Sequence, residues 1–353
     1  VGIRRRLKSG VRTPAPHPWN PMLATLLASG RTLLADGATG TNLFALGLTS
    51  GDAPEMWNLE HPDRVRALHQ GFVDAGSDII LTNSFGGNAR RLMLHGMQDR
   101  VREINRLAAQ HARSVADKAG RPVVVAGSVG PTGDLFEPLG VLTEAMAIEV
   151  FEEQIRGLKE GGADVAWIET MSSLEEIRAA AMAAAKVGMP YTFTASFDTA
   201  GRTMMGITPA ALVEFAQSLN PPPLAIGANC GVGASDLVVS VLGMTAQQAG
   251  IPIIAKANAG VPKFIGAEVH YSGTPELMAT YVDLAADSGA RIIGGCCGTT
   301  FGHLSAMHAA LHHHHAGARP DEAKVIAELG PLQAPGAKGG HRVGGEGRRN
   351  RRT

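Results

Sequence analysis

Eight short apolar runs, each closed by a polar or glycine-rich turn, constrain the fold of this chain more than any other feature. They are TLLADGATG from Thr32, DIILTNSFGG from Asp78, PVVVAGSVGPTG from Pro122, VAWIETMSS from Val165, YTFTASFDTAG from Tyr191, LAIGANCGVG from Leu224, PIIAKANAG from Pro252 and RIIGGCCGTT from Arg291. Near-continuous apolar runs of this length suit strands buried on both faces. Between them lie segments of helical spacing with their own punctuation. In PDRVRALHQGFVDAGS, Val65, Leu68, Phe72 and Val73 share one face and Gly76 marks the stop. Thr143, Ser173 and Thr274 are candidate N-caps for the segments that follow them, Pro275 suits a first helical position, and Gly188 and Gly289 are candidate stops. Strand and helix alternate about eight times over roughly 280 residues, which favours a (β/α)8 TIM barrel of the α/β class. An open doubly wound sheet is the alternative that the pattern by itself leaves standing.

A chain of 353 residues with 44% hydrophobic content is long enough for one large domain. Lysine and arginine balance aspartate and glutamate at 32 each, so bulk charge points to neither nucleic acid nor membrane. No apolar run approaches the ~18 residues of a membrane-spanning helix. Residues 1–22 are basic and proline-containing without the apolar stretch of a secretory signal, and read as a disordered arm. The natural start is therefore expected either at Val1 or near Met22. The barrel is expected over 23–316, and 317–353 as a short helix followed by a disordered Gly/Pro/Arg-rich tail. The histidine run His312–His315 reads as the frayed end of the last barrel helix. Three cysteines are too few, and odd in number, for a disulfide framework; a reducing cytoplasm is the expected setting. A homo-oligomer is compatible with all of this.

In a barrel, the residues that end the strands face one mouth. Here they are Asp36 and Gly37, Thr82 and Asn83, Ser128, Glu169, Ser196 and Asp198, Asn229 and Cys230, Lys256 and Asn258, Cys296 and Cys297. Every cysteine of the chain falls in this set. Cys230 closes the sixth strand and the Cys296–Cys297 pair closes the eighth, which puts them ~10 Å apart at the backbone, within reach of one ion at Zn–S distances of ~2.3 Å. Flanking glycines allow adjacent cysteines to turn toward one centre. Three soft ligands without a fourth match a catalytic Zn2+ with an open position; three buried packing thiols are the alternative. Such an ion, already surrounded by negative sulfur, suits the activation of an incoming thiol as a nucleophile. Lys256 suits a Schiff base or, more simply, an ion pair.

On the motifs LLADGATGT, APEMWNLEHPD, AGSDIILTNSFGGN, GSVGPTG, DVAWIET, GANCG and GGCCGT, in that order, the chain resembles the zinc-dependent homocysteine S-methyltransferase family. That family includes betaine–homocysteine methyltransferases and the homocysteine domain of cobalamin-dependent methionine synthase. The resemblance implies a (β/α)8 barrel making L-methionine, with Zn2+ on Cys230, Cys296 and Cys297 and the thiolate of L-homocysteine in the open position. It also implies that Asp36 and Glu169, helped by backbone around Gly37, contact the amino-acid end of the acceptor. Asn83 and Ser128, at neighbouring strand ends, are further candidates for substrate binding. For the methyl donor the motifs divide. Animal betaine enzymes carry a tyrosine just after the phenylalanine closing strand two, whereas Phe85 is followed by Gly86 and Gly87. APEMWN and TNSFGGN look more like the methionine-synthase version, yet the chain as a whole is similar to bacterial betaine–homocysteine methyltransferases. Trp57 is either an aromatic wall for a quaternary ammonium or a packing residue. The chain carries no DxHxxG corrinoid motif, so methylcobalamin would arrive on a separate corrinoid protein. A non-catalytic zinc- and homocysteine-binding subunit of a larger assembly is the other class of function to weigh.

Overall fold

The structure, a computed structural model, describes residues 22–49, 51–265 and 268–333. Seven parallel strands follow one another around a barrel: β1 (Leu33–Leu34), β2 (Ile79–Leu81), β3 (Val124–Val129), β4 (Val165–Met171), β5 (Tyr191–Ala195), β6 (Ile226–Cys230) and β7 (Ile253–Ala257). An antiparallel hairpin, β8 (Pro262–Ile265) and β9 (Glu268–Tyr271), comes next. The eighth barrel strand is β10 (Ala290–Gly295), which lies between β7 and β1. The circle closes where Ala35 bridges Ile79 in parallel, with Asp36 N donating to Ile79 O at 2.9 Å and Asp78 N to Leu34 O at 2.7 Å. All eight apolar runs of the sequence supply a barrel strand, and helices lie between them, so the chain is a (β/α)8 TIM barrel.

Alternation along the strands builds two cores. Leu33, Ala35, Ile79, Leu81, Val124, Ala126, Val165, Trp167, Ile254 and Ile292 fill the barrel interior, and the helix Met22–Ala28 packs Leu23 and Leu27 against them. The residues of opposite parity, such as Leu34, Ile80, Val125, Ala166 and Ile293, pack outward under the helices. The helix boundaries follow the caps in the sequence. Thr143 accepts from Met146 N at 3.2 Å, Ser173 from Glu176 N at 3.2 Å and Thr274 from Leu277 N at 3.3 Å. Each satisfies a donor that the first turn of a helix leaves open.

Two expectations are refined. The histidine run is not frayed: the helix Phe301–His313 includes His312 and His313, and His314 lies against Asp283 Oδ1 at 3.1 Å and Asp287 Oδ1 at 3.3 Å. After Gly317 the chain forms the helix Glu322–Leu329, which buries Val325 and Leu329, and Gln333 N donates to Asp236 Oδ2 at 3.0 Å. The disordered arm and tail expected at the two ends fall almost wholly on residues 1–21 and 334–353, outside the described residues. Among the described residues, no helix is long and apolar enough to cross a membrane.

One buried histidine couples the fold to pH. His69, on the helix Pro62–Asp74, is 1% exposed, and its Nε2 has no hydrogen-bond partner among the described groups. Burial, with a smaller contribution from His111, pushes it down to about 3. The unfolded chain titrates this histidine near 6.5, so below that pH the unfolded state binds a proton that the fold refuses. Stability is therefore lost as pH falls from about 6.5 toward 3. We expect the melting temperature of the wild type to drop on acidification from pH 7 to pH 5, and the drop to be visibly shallower in His69→Leu. Equal slopes in the two proteins would show that His69 does not carry this dependence.

Candidate active site

The C-terminal ends of the strands surround a cavity of about 550 Å³. Its lining joins Cys230, Cys296 and Cys297 to Gly37, Asn83, Ser128, Glu169 and Lys256, and continues to Phe44, Glu55, Phe85 and Arg91. Ser196 and Asp198, also at a strand end, are not part of that lining; Ser196 Oγ accepts from Gly231 N at 3.2 Å instead.

The three thiols meet because strand register brings them to one level. Cys230 of β6 and Gly295 of β10 both pair with Ala257 of β7, so the two sulfur-bearing chain ends flank the same small residue. Cys296 N then donates to Ala257 O at 2.7 Å, which folds the turn inward over β7. Cys230 itself takes a left-handed backbone conformation, φ 60°, unusual for a non-glycine residue. On the other side, Thr299 Oγ1 donates to Cys296 O at 2.7 Å and accepts from Ala38 N at 3.0 Å. A Cβ on Gly295 would stand 2.4 Å from that same Oγ1, and one on Gly298 (φ +80°) would stand 2.2 Å from the Tyr271 ring. The glycines around the paired cysteines are thus required by close approach as well as by the turn.

The ligand atoms of Cys230, Cys296 and Cys297 lie within 4.8 Å of one another, and Cys230 Sγ is 3.7 Å from Cys297 Sγ. Tetrahedral coordination with bonds of ~2.3 Å sets sulfur–sulfur edges of ~3.8 Å, so the residues present fit a zinc-type ion. No fourth histidine, cysteine or carboxylate joins this group among the described residues. Without an ion the three share protons unequally. Hydrogen bonds from Cys230 and then Cys296 push Cys297 down to about 3, whereas Cys230 is pushed up by its bonds to Cys296 and Cys297 and by burial. A divalent ion bound by these thiols would displace the protons they share.

Beside the thiols is a buried charge group. Lys256 Nζ donates to Asp36 Oδ1 at 2.7 Å and to Asp36 O at 3.2 Å, with the two side chains 2% and 1% exposed. The other Asp36 oxygen, Oδ2, accepts from Leu81 N at 2.7 Å. Asp36 is buried beside the cavity, between its neighbour Gly37 and its partner Lys256, which both line it. Burial opposes the charge on Lys256, but Asp36 and then Glu169 more than offset it, so the ammonium is retained. The ion-pair expectation for Lys256 thus holds. Glu169 does face the cavity. Burial pushes it up to about 7, while Lys256 and the hydrogen bond from Ser128 Oγ hold it down.

Glu55 and Thr170 join the residues that the sequence singles out. Glu55 Oε1 accepts from Gly86 N at 2.6 Å, and a Cβ on Gly86 would press against that carboxylate at 3.0 Å. Gly86 thus makes room for Glu55. Trp57 is 4% exposed, edge-on to His61 and covered by Arg64, and is a packing residue. Thr170, φ 61°, is pinned by Asn229: Thr170 N donates to Asn229 Oδ1 at 2.9 Å, and Asn229 Nδ2 donates to Thr170 Oγ1 at 2.7 Å. Asn229 also accepts from Thr194 Oγ1 at 2.6 Å and points Nδ2 at Cys296 Sγ, 3.8 Å away.

Comparison with known proteins gives a consistent answer. Residues 33–311 match the family model described as homocysteine S-methyltransferase. Among curated proteins, the chain is 31% identical over 299 residues to a methionine synthase of Mycobacterium tuberculosis and 30% identical over 311 residues to one of Mycobacterium leprae. These alignments take in 80% and 84% of this chain but 25% of each relative, so the chain spans about a quarter of their length. Among solved structures, the homocysteine methyltransferase MmuM of Escherichia coli superimposes in its oxidized form with a TM-score of 0.70 at 22% identity, and in its metallated form with 0.69 at 23%. Each covers 81% of this chain and 99% of the other; at that identity the likeness speaks for the fold.

The bonds around Asn229 lead to a test of how the thiol end is held. Asn229→Ala leaves Thr170 N and Thr194 Oγ1 without their partner in a buried setting, which costs about 2–4 kcal/mol. Urea unfolding reads this directly, and a loss below about 0.5 kcal/mol, the scale of an ordinary surface substitution, would contradict it.

Proposed function

The chain belongs to the homocysteine S-methyltransferase family, and from that premise we propose that it transfers a methyl group to L-homocysteine, yielding L-methionine, at a Zn2+ site formed by Cys230, Cys296 and Cys297. The observation that carries this reading is the convergence of three sulfurs within 4.8 Å of one another, one pair at 3.7 Å, in the cavity that Glu169 also lines. Zn2+ held there supplies charge that lowers the pKa of an incoming thiol, while three thiolates keep the centre soft enough for that sulfur to stay nucleophilic.

The other residues orient the acceptor. Glu169, near neutrality when the cavity is empty, becomes the carboxylate as an α-ammonium group approaches, because an opposite charge favours the ionised form. Ser128 holds it in place through Oε1. Gly37 and Asn83 line the same cavity and limit how the amino-acid end lies. Asp36 acts through Lys256. The cavity volume suits an acceptor and a small donor together. Donor identity is narrowed to two classes: betaine within the cavity, or methylcobalamin presented by a separate corrinoid protein.

Purified from its host, the protein should carry about one zinc per chain. Cys297→Ala should lose the metal and more than about 100-fold in kcat/KM, since losing even an outer partner of a metal ligand typically costs 10–100-fold. Turnover of L-homocysteine measured against betaine, and against methylcobalamin with candidate corrinoid proteins, separates the donors. A fully active metal-free protein would contradict the reading. Tight homocysteine binding without turnover by any donor would favour a non-catalytic homocysteine-binding subunit.

A further inference from the structure

Lys256 is not accounted for by the zinc chemistry, and its surroundings give it a specific task. A lysine ammonium carries three donors. Two are directed at Asp36, one to Oδ1 and one to the main-chain oxygen. The Trp167 ring lies 5.9 Å from Nζ. Lys256 lines the cavity together with Glu169 and the three cysteines, and two of its three donors have hydrogen-bond acceptors among the described residues. Strand register places the Lys256 backbone one rung from the thiol level. Lys256 pairs with Asn229 and Gly294, one residue before the rung where Cys230 and Gly295 flank Ala257. That is a backbone rise of about 3.3 Å along the strand.

We propose that Lys256 reads the α-carboxylate of the acceptor while Glu169 takes its α-ammonium, so that this chain selects a zwitterionic amino-acid thiol over a simple aminothiol. The assignment rests on the homocysteine acceptor proposed above. An amino-acid thiol needs an anion, a cation and a sulfur site in one cavity, and Glu169, Lys256 and the three cysteines are one of each. Arg91 and His95 also line the cavity, but they lie with Glu55, whose carboxyl they influence. Lys256 is the cation that Glu169 and Cys296 feel. Asp36, with Oδ1 on Lys256 and Oδ2 on Leu81 N, serves to hold that ammonium charged and oriented.

The test is calorimetric binding to the zinc-loaded full chain, comparing L-homocysteine with 3-aminopropane-1-thiol, which keeps the thiol and the ammonium and lacks the carboxylate. The wild type should bind L-homocysteine about 10- to 100-fold more tightly, the contribution of one charge-assisted hydrogen bond. In Lys256→Met that preference should collapse to within about 3-fold, with affinity for 3-aminopropane-1-thiol nearly unchanged. Because Lys256→Met leaves Asp36 buried without its partner, Asp36→Asn/Lys256→Met is measured alongside, and it should show the same collapse without the unpaired charge. A preference that survives in the double variant overturns the proposal, as does equal weakening of both thiols. A zinc-loaded wild type that binds neither thiol overturns the homocysteine reading itself, and so is distinguishable from failure of the Lys256 assignment.

Discussion

Asp36 closes the barrel, and the site depends on that closure. Its N–H donates to Ile79 O of β2 and its carbonyl accepts from Gly295 N of β10 at 3.0 Å. Its carboxylate accepts from Leu81 N beyond the bridge and from Lys256 of β7. One residue thereby ties β1, β2, β7 and β10 at the seam between the first and last strands. Removing two charges from water is costly. The expense is met by surrounding the pair with hydrogen bonds, so that neither the ammonium nor the carboxylate is left with a single partner.

That seam sets the height of β10, and with it the thiols. Gly295 and Cys230 share Ala257 as their common rung, and Cys296 turns inward by bonding the Ala257 carbonyl. Two of the four non-glycine residues with positive φ among the described residues, Cys230 and Thr170, adjoin this point, and Asn229 links Thr170 to Cys296. Strain and buried polar bonds are concentrated where three sulfurs must stay within coordination distance, as preorganised sites generally require.

Much of this was legible in the chain. Strands buried on both faces write themselves as continuous apolar runs, and all eight could be located that way. The caps at Thr143, Ser173 and Thr274 announce their helices because their side chains satisfy orphan donors locally. The thiols were legible as strand ends, since a barrel gathers such residues at one face whatever their separation in sequence. Pairings that exist only after closure were not. Asp36 and Lys256 are 220 positions apart, and no local pattern shows that the two charges pair with each other. Gly86 read as the lack of an aromatic residue, and no local pattern shows that the Glu55 carboxylate packs directly against it. The hairpin β8–β9 carries no separate apolar run in the alternation, and His314 is fixed by Asp283 and Asp287 from a neighbouring helix.

The central claim is that three protein sulfurs form the complete set of thiol ligands and leave one coordination position for the thiol of the acceptor. X-ray absorption at the zinc edge of the loaded protein counts sulfur neighbours directly. The account predicts three sulfurs at ~2.3 Å in the resting protein and four after saturation with L-homocysteine. Four sulfurs in the resting protein, or three that do not change on adding homocysteine, would contradict it.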